Sequence, residues 1–115
     1  MIYKQFDVVV VPFPFPFPFT ELNAEKRRPA LVLSTGNFNQ QSENCVLAMI
    51  TSQNNPKWPL DIRIGSLQKA GLKAPSMIRM KFFTLDNRLI IKKLGGLSGK
   101  DQESVKKTLQ TLMDL

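Results

Sequence analysis

The chain has 115 residues and a formal charge of +7, which suits one small domain, 1–115, with an acidic partner: nucleic acid first, a membrane surface or an acidic protein tail as rivals. It contains no histidine and one cysteine, so zinc sites of the ordinary kinds, histidine acid–base chemistry and Ser-His-Asp triads are excluded on residue supply, and no metal or cofactor is expected. An intrachain disulfide is impossible, no apolar run approaches the ~20 residues of a membrane-spanning helix, and Met1 to Asp7 lacks a signal-peptide pattern, so a cytoplasmic protein without membrane attachment is expected.

In chain order, Phe6 to Val11 is a β-branched run that predicts a strand buried on both faces. It ends in the dipeptide repeat Pro12-Phe13-Pro14-Phe15-Pro16-Phe17-Pro18-Phe19. Every second residue there lacks a donor, so the repeat is expected to be extended and polyproline-like, its phenylalanines either core plugs or an exposed adhesive surface. Thr20 to Glu25 is a polar connection. Lys26-Arg27-Arg28-Pro29-Ala30-Leu31-Val32-Leu33-Ser34 follows, three cations running into a predicted strand over Ala30 to Ser34. Arg28 precedes a proline, which holds it extended. Pro29 belongs at a strand's start, having no amide hydrogen to give. Burial explains the apolar run but not the cations, and a guanidinium aimed out of a sheet edge suits an RNA phosphate.

Thr35 to Asn44 is polar and predicts a loop with room for one helical turn. Cys45 lies in the third strand, Val46 to Ile50, as a buried small hydrophobe. Thr51 to Pro56 is a turn. Leu60 to Ile64 alternates apolar and charged residues as a half-buried strand does. Gly65 to Pro75 is a loop. In the strand Met77 to Phe82, Ile78, Met80 and Phe82 share one face and Arg79 and Lys81 the other. Leu89 to Leu94 is a last strand. Ser98, with Asp101 three residues on, opens a helix whose Val105, Leu109, Leu112 and Met113 make one apolar stripe, set to lie on the barrel or on a second copy of the chain. Five or six short strands plus a terminal helix predict a small β-barrel with a helical appendage.

Together, Asp7-Val8-Val9-Val10-Val11-Pro12-Phe13, Arg27-Arg28-Pro29-Ala30-Leu31-Val32-Leu33-Ser34, Ile50-Thr51-Ser52-Gln53, Pro75-Ser76-Met77-Ile78-Arg79, Thr84-Leu85-Asp86 and Leu94-Gly95-Gly96-Leu97-Ser98 resemble the MazF/PemK family of toxin endoribonucleases, in order and spacing, over nearly the full chain. The resemblance implies a toxin of a type II toxin–antitoxin pair. It also implies an SH3-like β-barrel fold, a homodimer, metal-free cutting of single-stranded RNA, and silencing by an antitoxin with an acidic, disordered tail. The family's catalytic arginine falls on Arg28 and its catalytic threonine on Thr51. Three departures stand out. Phe6 replaces the usual glycine before the first strand's aspartate, a change expected to be cosmetic. The Pro-Phe repeat is doubled. Met80-Lys81 replaces an Asp-Gln pair, so the cleavage motif cannot be borrowed.

The residues carry the chemistry without the family. Cleavage by the ribose 2′-hydroxyl needs a charge to hold a dianionic phosphorane, and the Arg28 fork can grip two phosphate oxygens. Thr51 and Ser52 offer hydroxyl donors. Lys81 adds charge, and Arg79 positions the strand. Arg27, Gln53, Lys57 and Trp58 complete the expected RNA contacts, Trp58 by stacking on a base. Plainer readings stand beside these: Arg28 paired with Glu25 or Asp61, Thr51 and Ser52 bonding their own turn, Arg79 and Lys81 as a wet sheet face, Trp58 packed on the barrel, Lys92 and Lys93 guarding an edge strand. Two rival functions remain. One is a CcdB-type gyrase poison, disfavoured because Thr111 to Leu115 lacks a terminal tryptophan. The other is a non-catalytic RNA- or protein-binding module.

Overall fold

Four valines in succession leave a strand no polar face, so whatever fold forms must cover both sides of it. The computed structural model, which describes residues 2–13 and 26–114, does so. Strand β1 (Asp7–Phe13) lies within an antiparallel sheet with β2 (Lys26–Val32), β3 (Asn44–Ser52), β4 (Ile62–Arg63), β5 (Ser76–Asp86) and β6 (Lys92–Gly96), in the order β4-β5-β3-β2-β1-β6. Val8 faces one apolar cluster with Leu31, Ala48, Ile50, Ile78, Leu97 and Val105. Val9 and Val11 face another with Ala30, Val32, Cys45, Leu47 and Leu85. Each valine so buried stabilises the fold by about 1.5 kcal/mol or more. The sheet curls as a half-barrel whose edges, β4 and β6, are not paired to each other. The expected β-barrel with its C-terminal helix is therefore present in open form.

Helix α1 (Gly36–Ser42) packs against β3. It is longer than the single turn expected for that polar stretch, because Asn39 turns inward: its amide donates to the Tyr3 and Ser34 carbonyls. The one-turn helix α2 (Leu67–Ala70) interrupts the predicted 65–75 loop. Helix α3 (Gly99–Met113) starts where predicted, with the Ser98 hydroxyl accepting from the Asp101 amide. Asp101 does not return the bond. Its buried carboxylate accepts instead from the Gly65 and Ser66 amides, pinning the 65–66 turn to the helix. Val105 and Leu109 pack on the first cluster, while Leu112 and Met113 remain 41% and 50% exposed, so the stripe overruns the sheet.

The strand bounds shift for identifiable reasons. β5 extends to Asp86, β4 shrinks to Ile62–Arg63, and β6 starts at Lys92 because Asn87–Leu89 forms a 3-10 turn. β2 starts at Lys26, so the three cations belong to the strand, and Pro29 sits inside it rather than at its start. Val10 accepts from the Ile91 amide, so its backbone polar groups point at β6 and away from its partner Pro29. The nitrogen of Pro29 therefore points toward β3, where pairing reaches only Ala30–Met49. No donor is needed there, and the proline marks the end of that ladder.

Phe6 corrects one expectation. Its φ is 72°, the left-handed region that glycine enters without penalty and a phenylalanine does not. The side chain is buried in the first cluster, and that burial offsets the backbone cost. The departure from glycine is a trade, not a cosmetic change. Phe15, Phe17, Phe19 and the Thr20–Glu25 connection, with Glu25 as a partner for Arg28, lie outside the described residues.

Candidate functional site

Where β2 and β3 stop pairing, the register still fixes which side chains face each other. Arg28 lies two residues before Ala30, and Thr51 two residues after Met49, the last paired couple. Both side chains therefore project from the same face of the sheet. They meet in a hollow of about 170 Å³ lined also by Phe13, Met49, Asn55, Arg79 and Lys81. A bulge in β5 supplies the last two: Phe82 pairs with Ala48 and Ile78 with Ile50, so three β5 residues stand against Met49 alone.

The polar groups of this hollow are not equally engaged. Arg28 forms no ion pair with any described residue, and its guanidinium carbon lies 6.0 Å from the centroid of the Phe13 ring. Asp61, one of its expected structural partners, is bound elsewhere. Arg79 donates to both Asp61 carboxylate oxygens, at 3.3 and 3.1 Å, and to the Pro56 carbonyl at 2.7 Å. The pair is well covered, the two side chains 14% and 5% exposed. Burial alone would raise the Asp61 pKa. Hydrogen bonds from Arg79 and the Trp58 amide, with the charges of Arg79 and Lys57, outweigh it and hold the carboxyl below its ordinary value. Arg79 also lies over the Trp58 ring at 5.2 Å, with Lys81 at 5.9 Å. Arg79 thus ties the 56–61 loop to β5. Lys81, in no ion pair with a described residue, keeps its ammonium at the rim.

The two hydroxyls divide in the same way. Ser52 Oγ accepts from the Asn54 amide at 3.2 Å, closing its own turn, and it is not among the residues lining the hollow. Thr51 Oγ1 accepts from the Asn55 side-chain amide. That bond occupies one lone pair and leaves the hydroxyl hydrogen free to donate into the hollow. Asn55 was legible only as a turn residue; its spacing of four from Thr51 carries no functional signal by itself.

The remaining sequence-predicted residues lie apart. Gln53, Lys57 and Trp58 line an adjoining hollow of about 240 Å³ with Leu60, Asp61, Arg63 and Met77. Arg27 projects from the opposite face of β2, as strand alternation demands, into a hollow of about 360 Å³ with Lys73 and Lys92. Among the described residues no three histidine, cysteine, aspartate or glutamate side chains converge as metal ligands would. Burial, with a contribution from Asp7, pushes the Cys45 thiol up to about 11, so it stays protonated and is no nucleophile at neutral pH. Among the described residues no helix is long and apolar enough to cross a membrane.

The fold has solved counterparts. MazE–MazF from Deinococcus radiodurans superposes with a TM-score of 0.77 at 19% identity, covering 100% of this chain and 99% of that one. An endoribonuclease in complex with its cognate antitoxin, from Mycobacterial species, gives 0.74 at 14% identity, covering 99% and 95%. The Mycobacterium tuberculosis toxin MazF-mt6 gives 0.71 at 17%, covering 95% and 97%. At such identities the likeness establishes the fold alone. No curated protein matches by sequence. The profile described as PemK-like, MazF-like toxin of type II toxin-antitoxin system matches residues 4–113, and the chain belongs to that family.

Proposed function

We propose that this chain is a sequence-selective endoribonuclease that cleaves single-stranded messenger RNA without a metal ion, at the hollow between Arg28 and Thr51. One observation carries the reading: a guanidinium with no described carboxylate partner and a hydroxyl free to donate share a small basic hollow at the end of a ladder. In the reaction the ribose 2′-oxygen attacks the adjacent phosphorus and loses its proton to solvent. The bond from phosphorus to the 5′-oxygen breaks, and that oxygen takes up a proton. Arg28 grips two non-bridging oxygens as charge builds on them, Lys81 adds to the field, and Thr51 donates to the same group. A guanidinium stays protonated near neutrality and is a poor base. The rate therefore rests on alignment and charge stabilisation, and a modest turnover follows.

The endoribonuclease and antitoxin complexes among the structural neighbours support this reading. So does the charge of +7, which complements both RNA and the acidic, disordered tail of a cognate antitoxin. The protein works in the cytoplasm as a homodimer, for which the exposed Leu112 and Met113 offer apolar area. The test is digestion of mixed RNA in the presence of EDTA, followed by analysis of the new ends. The expected products carry a 2′,3′-cyclic phosphate and a 5′-hydroxyl. A 5′-phosphate, or activity abolished by the chelator, refutes the mechanism.

A further inference from the structure

Resting on that reading, we infer that the hollow on the opposite face of β2, between Arg27, Lys73 and Lys92, binds a nucleotide of the RNA that flanks the cleaved bond. Its floor is a row across three strands. Pro29 pairs with Val10, and Val10 pairs with Lys92. Leu72 and Leu94 add apolar wall. The result is an aliphatic bed about twice the volume of the catalytic hollow, 360 against 170 Å³, rimmed by three cations. None of the three forms an ion pair with a described residue. Apolar floor with cationic rim matches a sugar and base whose phosphates lie at the edge.

The wall is built to hold its shape. Gly71 has φ 76°, and a Cβ there would meet the Leu94 carbonyl oxygen at 2.3 Å. At Gly95 a Cβ would meet the Lys69 carbonyl oxygen, also at 2.3 Å. Backbone thus lies on backbone, fixing Leu72 and Lys73 over β6. Continuity selects the occupant. Arg28 lines both hollows, so a strand gripped at Arg28 needs only to cross β2 to reach Arg27.

The experiment measures binding, not cleavage. Single-stranded 2′-O-methyl RNA of four and of twelve nucleotides, which offers no free 2′-hydroxyl, is titrated against wild type and Lys73→Ala/Lys92→Ala across a salt series. The twelve-mer should bind the variant about tenfold more weakly. Its salt slope should be shallower by about 1.4, roughly 0.7 for each single-strand phosphate that a lysine no longer neutralises. The four-mer should bind both proteins alike, and Lys73→Arg/Lys92→Arg should restore the twelve-mer. Equal twelve-mer binding and slope overturn the proposal. So does a variant that keeps RNA binding but loses an acidic Glu/Leu peptide, which would make the hollow a protein-docking surface. Because these probes are not cut, a wild type inactive on natural RNA defeats the nuclease reading without deciding this one.

Discussion

Arg28 and Arg79 line the same hollow and differ in what holds them. Arg79 is bonded to the Asp61 carboxylate and the Pro56 carbonyl and is covered by the Trp58 ring. Arg28, on the far side of β3 from Arg79 in the sheet order, has an aromatic ring nearby and no described carboxylate. A guanidinium already neutralised by a covered carboxylate has little field left for a phosphate. One that no described carboxylate neutralises keeps more of its field for whatever enters. The contrast separates a residue that shapes the site from a residue that acts in it, and variants at the two positions set one role against the other.

The largest effect expected is on chemistry. Arg28→Ala should cut kcat by about 10³-fold, about 4 kcal/mol of transition-state stabilisation. It should move folding stability by no more than about 0.5 kcal/mol, since no described ion pair is lost. Single-turnover cleavage and urea unfolding measure the two. A variant that cuts as fast as wild type removes Arg28 from the mechanism. The hydroxyls repeat the contrast. Thr51→Val should lower kcat about 10²-fold, and Thr51→Ser should recover most of it. Ser52→Ala, which removes a turn bond outside the hollow, should leave kcat within about threefold, on the order of 0.7 kcal/mol. Equal losses at the two positions would mean that the hollow does not define the site.

Arg79→Ala should show the reverse balance. It leaves the Asp61 carboxylate, 5% exposed, without its main partner, a loss of about 1–3 kcal/mol of stability. Cleavage should fall less than in Arg28→Ala, through a loosened 56–61 loop, and a KM effect should exceed the kcat effect. Urea midpoints for the two arginine variants give the comparison directly. If Arg79→Ala is as stable as wild type and as inactive as Arg28→Ala, the assignment of scaffold and actor is inverted.

How much of this was legible beforehand depends on the range of the signal. Val8 to Val11 announced a strand covered on both faces, because alternation is a local rule. The helix start at Ser98 was equally local. That Arg27 and Arg28 face opposite sides follows from the same alternation, once the cations are known to belong to the strand; placing the strand at Ala30 concealed it. The pairing of Asp61 with Arg79 crosses 18 positions, and nothing in either segment names the other. The meeting of Arg28 with Thr51 depends on the β2–β3 register, which the residues of the 33–43 connection do not set. The positive φ of Phe6 had a signal, the glycine of the resembling family at that position. Its meaning lay in backbone conformation rather than in side-chain chemistry.

The finest test is the pH dependence of the scaffold pair. The native pKa of Asp61 lies below its ordinary 3.8, so the folded state binds its proton less readily than the unfolded state. Stability from this group is then complete above the unfolded value and is lost as pH falls through the native one. Between pH 8 and 5 nothing should change. Below pH 4 the wild type should lose stability more steeply than Asp61→Asn, which has no charge to titrate, and the difference between their curves isolates the pair. Arg28→Ala should keep the wild-type slope, having no share in the pair, whereas Arg79→Ala should flatten it because the cation that depresses the carboxyl is gone. A slope that Arg28→Ala also flattens would place Arg28 within reach of Asp61 after all, and the guanidinium without a described carboxylate partner, on which the site rests, would be lost.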